Sequence, residues 1–279
     1  MSGAGAVGTG VSGQRGGDPR RVLAMGGGGF TMDERAEGLD RLVLDMTGKD
    51  VPRICFLPTA SGDPRDQVTR FHERFDGWPC EPSILSLFNL GRDRIDPIAH
   101  LLSQDAIYVG GGSMRNMLAI WREHGIDDAM RTAWERGIVL AGLSAGSMCW
   151  FEGGVSMSGG APEVVKGIGL LPGSMSVHMH TEPERLPVYE AAVATGKLAP
   201  GYVADDSAGV VWHGTRMAEC VVSEPDARVY RVESDGVGGV VKVPQPVRKL
   251  AGAIAGQPAH EPYGVSEMRA LRGGRNRWD

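Results

Sequence analysis

GIVLAGLSAGSMCW, residues 137–150, is the stretch on which the architecture turns. Ile138 to Gly142 form an unbroken apolar or small run. Such a run suits a strand buried on both faces, because a solvated face would impose polar alternation. Ser144 follows in the pattern Gly142-x-Ser144-x-Gly146, and AGSMCWFEGG reads as the beginning of a helix. A strand turning sharply into a helix through a serine makes a nucleophile elbow. The hydroxyl is lifted on a strained turn, and the helix N-terminus favours negative charge in front of it. This reading predicts that the Ser144 side chain stands exposed. The same residues also suit a plain tight loop, so the elbow needs a base, an acid and oxyanion donors from elsewhere in the chain.

The same grammar recurs on both sides of this stretch. RVLAMGGGG (21–29), RICFLPTASG (53–62), EPSILSLF (81–88) and DAIYVGGGS (105–113) are further apolar runs that mostly end in small residues. Between them lie amphipathic segments with helical spacing: DERAEGLDRLVLDMTG (33–48), DQVTRFHERF (66–75), MRNMLAIWREHG (114–125) and DDAMRTAWERG (127–137). Buried strands alternating with amphipathic helices predict a doubly wound α/β unit over residues 21 to about 155. ERLPVYEAAVATG (184–196) reads as one more helix. SAGVVWHG, AECVVSE, ARVYRVES and GGVVKV read as short strands completing the same domain. The expected organisation is a leader over 1–20 whose Gly/Ser richness implies flexibility, one α/β domain over 21–245, and a C-terminal extension over 246–279.

The bulk numbers narrow the function. The chain has 279 residues, 42% apolar and 23% charged, which is ordinary for a globular protein able to bury its own core. A net charge of -5 argues against a nucleic-acid partner. No apolar run is long enough for a membrane span, and the leader lacks the pattern of a secretory signal. The four cysteines are scattered without a CxxC pair, which reads as a reducing, cytoplasmic setting.

Open parallel sheets bind ligands beyond the carboxyl ends of their strands. That edge gathers Gly26 to Gly29, Thr59-Ala60-Ser61, Gly110-Gly111-Gly112 and Ser144. The backbone N–H groups of the triple glycine and of Ala145 can face one oxyanion, although three glycines also simply make a tight turn. Among the seven histidines, His178 and His180 in GSMSVHMHTEPER lie in an expected loop downstream of the serine. Their spacing also suits a metal pair, but no third ligand accompanies them, so no metal is expected. Asp205-Asp206, just before SAGVVWHG, offers the carboxylate that would orient a histidine, or else a solvated turn.

Several of these blocks occur together in a recognisable order. VLAMGGGGF, CFLPTASGD, IYVGGG, GLSAGSMCWFEGG, GIGLLPGS, EPERLPVY and GYVADDSA resemble the peptidase E family, and the resemblance runs from about residue 21 to about residue 235. It implies a three-layer α/β/α fold with a mostly parallel central sheet, like that of class I glutamine amidotransferases. It implies a serine peptidase that cleaves dipeptides or short peptides, prefers an N-terminal aspartate and uses no cofactor. Ser144 takes the place of the nucleophile and His178 that of the base. The acid falls on Asp206, with Asp205 as the alternative. Gly111, Gly112 and Ala145 take the place of the oxyanion donors. Arg185 is a candidate cation for an acidic substrate side chain, or a surface residue paired with Glu182 or Glu184. Ser113 is a second candidate substrate contact.

The chain departs from the family in three places. Ser113 stands where the family usually has asparagine, and Ser147 stands where it has alanine. Ser176-Val177-His178-Met179-His180 replaces a block that usually reads C-P-H-Y-D. Those departures keep open an inactive pseudo-peptidase that binds a small acidic ligand. A cyanophycinase-like enzyme shares the fold. An α/β-hydrolase esterase would need the order serine, acid, histidine, which only a late His213 or His260 supplies.

Overall fold

The computed structural model describes residues 18–31 and 37–251. Most of the expected leader, the start of the helix expected from residue 33, His260 and most of the C-terminal extension lie outside the described residues. In chain order the elements are β1 (Arg21–Met25), α1 (Gly38–Asp45), β2 (Arg53–Leu57), α2 (Arg65–Phe75), β3 (Glu81–Ile84), α3 (Leu90–Asp93), α4 (Pro97–Leu102), β4 (Ala106–Val109), α5 (Met114–His124), α6 (Ile126–Glu135), β5 (Val139–Leu143) and α7 (Ala145–Met148). There follow β6 (Phe151–Ser156), β7 (Glu163–Lys166), β8 (Leu171–Val177), α8 (Arg185–Ala194), β9 (Gly201–Ala204), β10 (Ala208–His213), β11 (Arg216–Val222), β12 (Val229–Ser234), β13 (Val240–Pro244) and β14 (Val247–Lys249). Short 3₁₀ turns occupy Gly29–Thr31 and Thr59–Ser61.

The first sheet has eight strands in the order β14-β11-β10-β1-β5-β4-β2-β3. Its heart, β1-β5-β4-β2-β3, is parallel throughout. Side chains alternate between two cores, as pleating requires. Leu23, Met25, Ile54, Phe56, Ala106 and Tyr108 face α1 and α2. Val22, Ala24, Cys55, Leu57, Ile107 and Val109 face α5 and α6. This is the layered α/β/α arrangement that the alternating runs imply. No helix among the described residues is long and apolar enough to cross a membrane.

Downstream of the serine the structure departs from the sequence reading. The helix expected over AGSMCWFEGG is a single turn, α7, and Phe151–Ser156 is strand β6. Two consecutive glycines, Gly153 and Gly154, weaken a helix there, and flanking Phe and Val favour a strand. The strands after residue 150 do not all complete the first sheet. Six of them form a second sheet, in the order β13-β12-β9-β8-β6-β7. Its inner face, with Met175, Val177, Tyr202, Ala204 and Val229, joins the same core as α5 and α6. Its outer face, with Val155, Val203 and Val232, is covered by α8. Helices α3 and α4 go beyond that reading as well, and His100 lies in α4.

The turn after β5 is built by close approach. A Cβ on Gly142 would lie 2.2 Å from the Gly146 carbonyl oxygen, and one on Gly146 would lie 2.3 Å from that of Val109. Gly142→Ala is therefore expected to lower stability by roughly 1–3 kcal/mol, the usual cost of overpacking, read as a reduced denaturant midpoint. A wild-type midpoint would show that this turn has room the geometry denies.

Candidate active site

Ser144 has φ 53° and ψ -116°, a region that costs a non-glycine residue strain energy. Its backbone is tied on both sides. The N–H donates to Met25 O over 3.1 Å, and the carbonyl accepts the N–H groups of Ser147 and Met148, each over 3.0 Å. Ser147, one of the three departures from the resemblance, adds a hydroxyl bond to the same carbonyl over 2.9 Å. These bonds hold the Oγ over the edge of the sheet. The expectation of an exposed hydroxyl needs correction: Ser144 is 8% exposed, because His178 and the Gly111 turn close over it.

His178 follows directly on β8, and Asp206 follows on β9, the neighbouring parallel strand. Strand pairing therefore delivers both residues to the edge where β5 delivers Ser144. His178 Nε2 lies 2.9 Å from Ser144 Oγ. Its Nδ1 bonds Asp206 Oδ1, and Thr181 donates its hydroxyl to Asp206 Oδ2 over 2.7 Å. Positive φ outside glycine occurs at five described residues, and Ser144, His178 and Ser207 are three of them. Strain thus gathers at this spot. Burial pushes the Asp206 carboxyl up, but the charge and hydrogen bond of His178, the Thr181 hydroxyl and the charge of Arg185 outweigh it and hold the carboxyl below the ordinary aspartate value.

Asp205 points elsewhere. It is 3% exposed, and its Oδ2 accepts the Arg228 backbone N–H over 2.9 Å. His180 Nδ1 lies 2.7 Å from Oδ1, close but not aligned as a hydrogen bond, and the His180 ring is 70% exposed. Burial raises the Asp205 carboxyl, and neighbouring Asp206 adds to the rise against the opposing pull of His180 and the Arg228 N–H.

Gly111 packs onto the serine. A Cβ there would lie 3.2 Å from Ser144 Cβ and 2.8 Å from Leu143 Cδ1. Gly110 N–H is taken by Leu57 O and Ser113 N–H by Ala60 O, and among the described residues the N–H groups of Gly111 and Gly112 make no backbone bond. Ala145 is the first residue of α7, where an N–H has no intrahelical acceptor. Ser113 caps α5, accepting the Asn116 N–H over 3.2 Å. Arg185 is not a surface residue. It is 6% exposed, its Nε bonds Glu182 rather than Glu184, and its Nη1 donates to Val155 O over 3.1 Å. Its guanidinium is committed inside the protein, because burial of that charge requires partners.

The arrangement brings Ser144, His178 and Asp206 into one hydrogen-bonded line and leaves Arg185, Ser113 and Asp205 engaged in structural contacts. Thr181 escaped the sequence reading, since nothing about a threonine three residues after a histidine signals a contact with residue 206. Chemically, Nε2 is placed to take a proton from Oγ while the carboxylate fixes the ring.

Peptidase family S51 matches residues 22–220. An uncharacterized peptidase, YgaJ, of Bacillus subtilis (strain 168) is 40% identical over 231 residues, covering 83% of this chain and 99% of that protein. Among solved structures, a peptidase from an acI-B1 Actinobacterium superposes with a TM-score of 0.59 at 16% identity, over 80% of this chain and 94% of that one. A "Putative Peptidase E Protein" from Listeria monocytogenes EGD-e gives 0.51 at 13% identity, over 71% of this chain and 96% of that one. These two likenesses speak for the fold, and the family match and the Bacillus relative speak for descent. The chain belongs to peptidase family S51, a family of serine-type peptidases.

Proposed function

We propose that the protein hydrolyses dipeptides or short peptides through Ser144, His178 and Asp206. The observation that carries the reading is the position of His178, with one ring nitrogen 2.9 Å from Ser144 Oγ and the other on the Asp206 carboxylate. Ser144 Oγ attacks the scissile carbonyl carbon as its proton passes to His178 Nε2. The oxyanion is received by the N–H groups of Gly111, Gly112 and Ala145, which have no backbone acceptor among the described residues, and such donors stabilise developing charge. Collapse breaks the C–N bond, and the imidazolium gives its proton to the leaving amine. Water activated by the same ring then releases the acyl group. The chain order serine, histidine, acid separates this reading from an α/β-hydrolase esterase.

A preference for N-terminal aspartate is supported by the family resemblance alone. Arg185 lends it no support, because its guanidinium is engaged with Glu182 and Val155. The deciding experiment is a dipeptide panel with the N-terminal residue varied, with cyanophycin included as a competing substrate. Hydrolysis of Asp-X dipeptides above the rest is the expected result. A panel without turnover, or turnover of cyanophycin alone, would overturn the assignment.

His180 provides an internal control. It is exposed and touches Asp205, not the serine. Its ring makes no bond to Ser144, His178 or Asp206, so His180→Ala is expected to change kcat by less than about fivefold, about 1 kcal/mol of barrier. A loss as deep as that of His178→Ala would show that the wrong ring was taken as the base.

A further inference from the structure

We propose that Thr181 is a positioning residue, whose hydroxyl locks the Asp206 carboxylate in the plane that serves His178. The proposal rests on the catalytic reading of Ser144, His178 and Asp206. Asp206 lies two residues past β9, where its backbone bridges to Gly27, and its side chain is 14% exposed. A carboxylate rotates in a broad, shallow torsional well. A single bond to the ring nitrogen leaves that rotation open, and water at the exposed side competes for the second oxygen. Thr181 closes the second position with a bond of 2.7 Å, the length of a charge-assisted O–H···O⁻ contact.

The backbone explains why Thr181 is available. Glu182 N–H donates to His178 O over 2.8 Å, so residues 178–182 close one turn and bring the side chains of His178 and Thr181 back to the same carboxylate. A threonine is stiff at χ1, which makes its hydroxyl a defined point and not a searching one. Downstream, buried Glu182 bonds buried Arg185, which anchors the end of the turn against Val155. The low carboxyl pKa of Asp206, to which the Thr181 bond contributes, agrees with this geometry.

The test uses the full chain and an alkyl fluorophosphonate. Ser144 Oγ forms a bond to phosphorus, the P–F bond breaks, fluoride leaves and the serine proton passes to His178. Maximal labelling rate and half-saturating concentration are measured separately. Thr181→Val keeps the shape and deletes the hydroxyl. It is expected to slow the maximal rate by roughly tenfold to a hundredfold, the worth of a hydrogen bond to a charged group, with half-saturation unchanged. Thr181→Ser should recover most of the rate. Should the valine variant not fold, the alanine and serine variants make the same comparison. The proton NMR signal of the ring N–H facing Asp206 gives an independent readout: it should broaden or shift in Thr181→Val and return in Thr181→Ser. Wild-type labelling in Thr181→Val, or a serine variant as slow as the valine one, overturns the proposal. Ser144→Ala run alongside separates the two ideas. Wild-type chain that does not label, or undiminished labelling in Ser144→Ala, overturns the catalytic reading and this proposal with it. No labelling in Ser144→Ala with a full rate in Thr181→Val removes Thr181 alone.

Discussion

Ser144→Ala is expected to lower kcat on any cleaved peptide by a factor on the order of 10⁶, the loss seen when a serine or histidine is removed from such a unit. Nucleophile and base act together, so His178→Ala should fall as far, and the double variant little further. The fold should survive. The backbone at residue 144 is held by its bonds to Met25, Ser147 and Met148, and none of these uses the hydroxyl. The strained φ of 53° is no worse for alanine than for serine. Loss of the bond to His178 removes about 1 kcal/mol of net stabilisation at most in a typical case. The melting temperature should therefore stay within about 4 °C of wild type, and the near-UV spectrum should match it, while turnover disappears. Turnover at the wild-type rate in a folded Ser144→Ala protein would end the nucleophile assignment.

The parallel half of the fold was readable because both faces of its strands are buried. Val22 to Met25, Ile54 to Leu57 and Ala106 to Val109 show that burial as unbroken apolar runs. Strand β8 was hidden for the opposite reason. Its outer positions are Ser174 and Ser176, both buried, and Ser174 satisfies its hydroxyl on Tyr189 over 2.8 Å. A buried serine looks like a loop residue when its partner is fifteen positions away, so GSMSV read as a connection and the second sheet was lost with it. The start of α4 does carry a local signal. Asp96 accepts the N–H groups of Ile98 and Ala99 ahead of Pro97 at the first turn, a standard cap followed by a favoured proline.

The site divides along the same line. Ser144 can be picked out because the elbow imposes glycines at fixed spacing, and the steric demand is local. Which groups meet it is a matter of strand order: β8 and β9 lie side by side, and no spacing in the sequence expresses that. Arg185 is buried against the ordinary exposure of an arginine. Its burial depends on Glu182 and on the carbonyl of Val155, and the second partner lies in a strand that the sequence did not reveal as one.

The adjacent aspartates carry the other large effect. Asp206→Asn is expected to lower kcat by roughly 10⁴-fold, because the amide cannot hold the imidazole tautomer or stabilise the imidazolium. The change is isosteric, and the Asn can keep an acceptor toward Thr181 or toward the ring, though not a charge. Its effect on folding should be modest. The ionised Asp206 lies below its ordinary pKa in the folded chain, so its contribution to stability is present above the unfolded value and is lost as pH falls through the folded one. The asparagine variant should accordingly lack that part of the acid-side decline in stability. Asp205→Asn should behave differently on both counts. Its carboxyl is raised, chiefly by burial, so neutralising it relieves a penalty near neutral pH. Its bond to the Arg228 N–H survives through the amide oxygen, and the ring nitrogens of His178 bond Asp206 and Ser144 instead. Its kcat should stay near wild type. A profile in which Asp205→Asn is the crippled enzyme and Asp206→Asn the active one would reverse the two roles, and would require the loop after β9 to turn over so that the other carboxylate meets the ring.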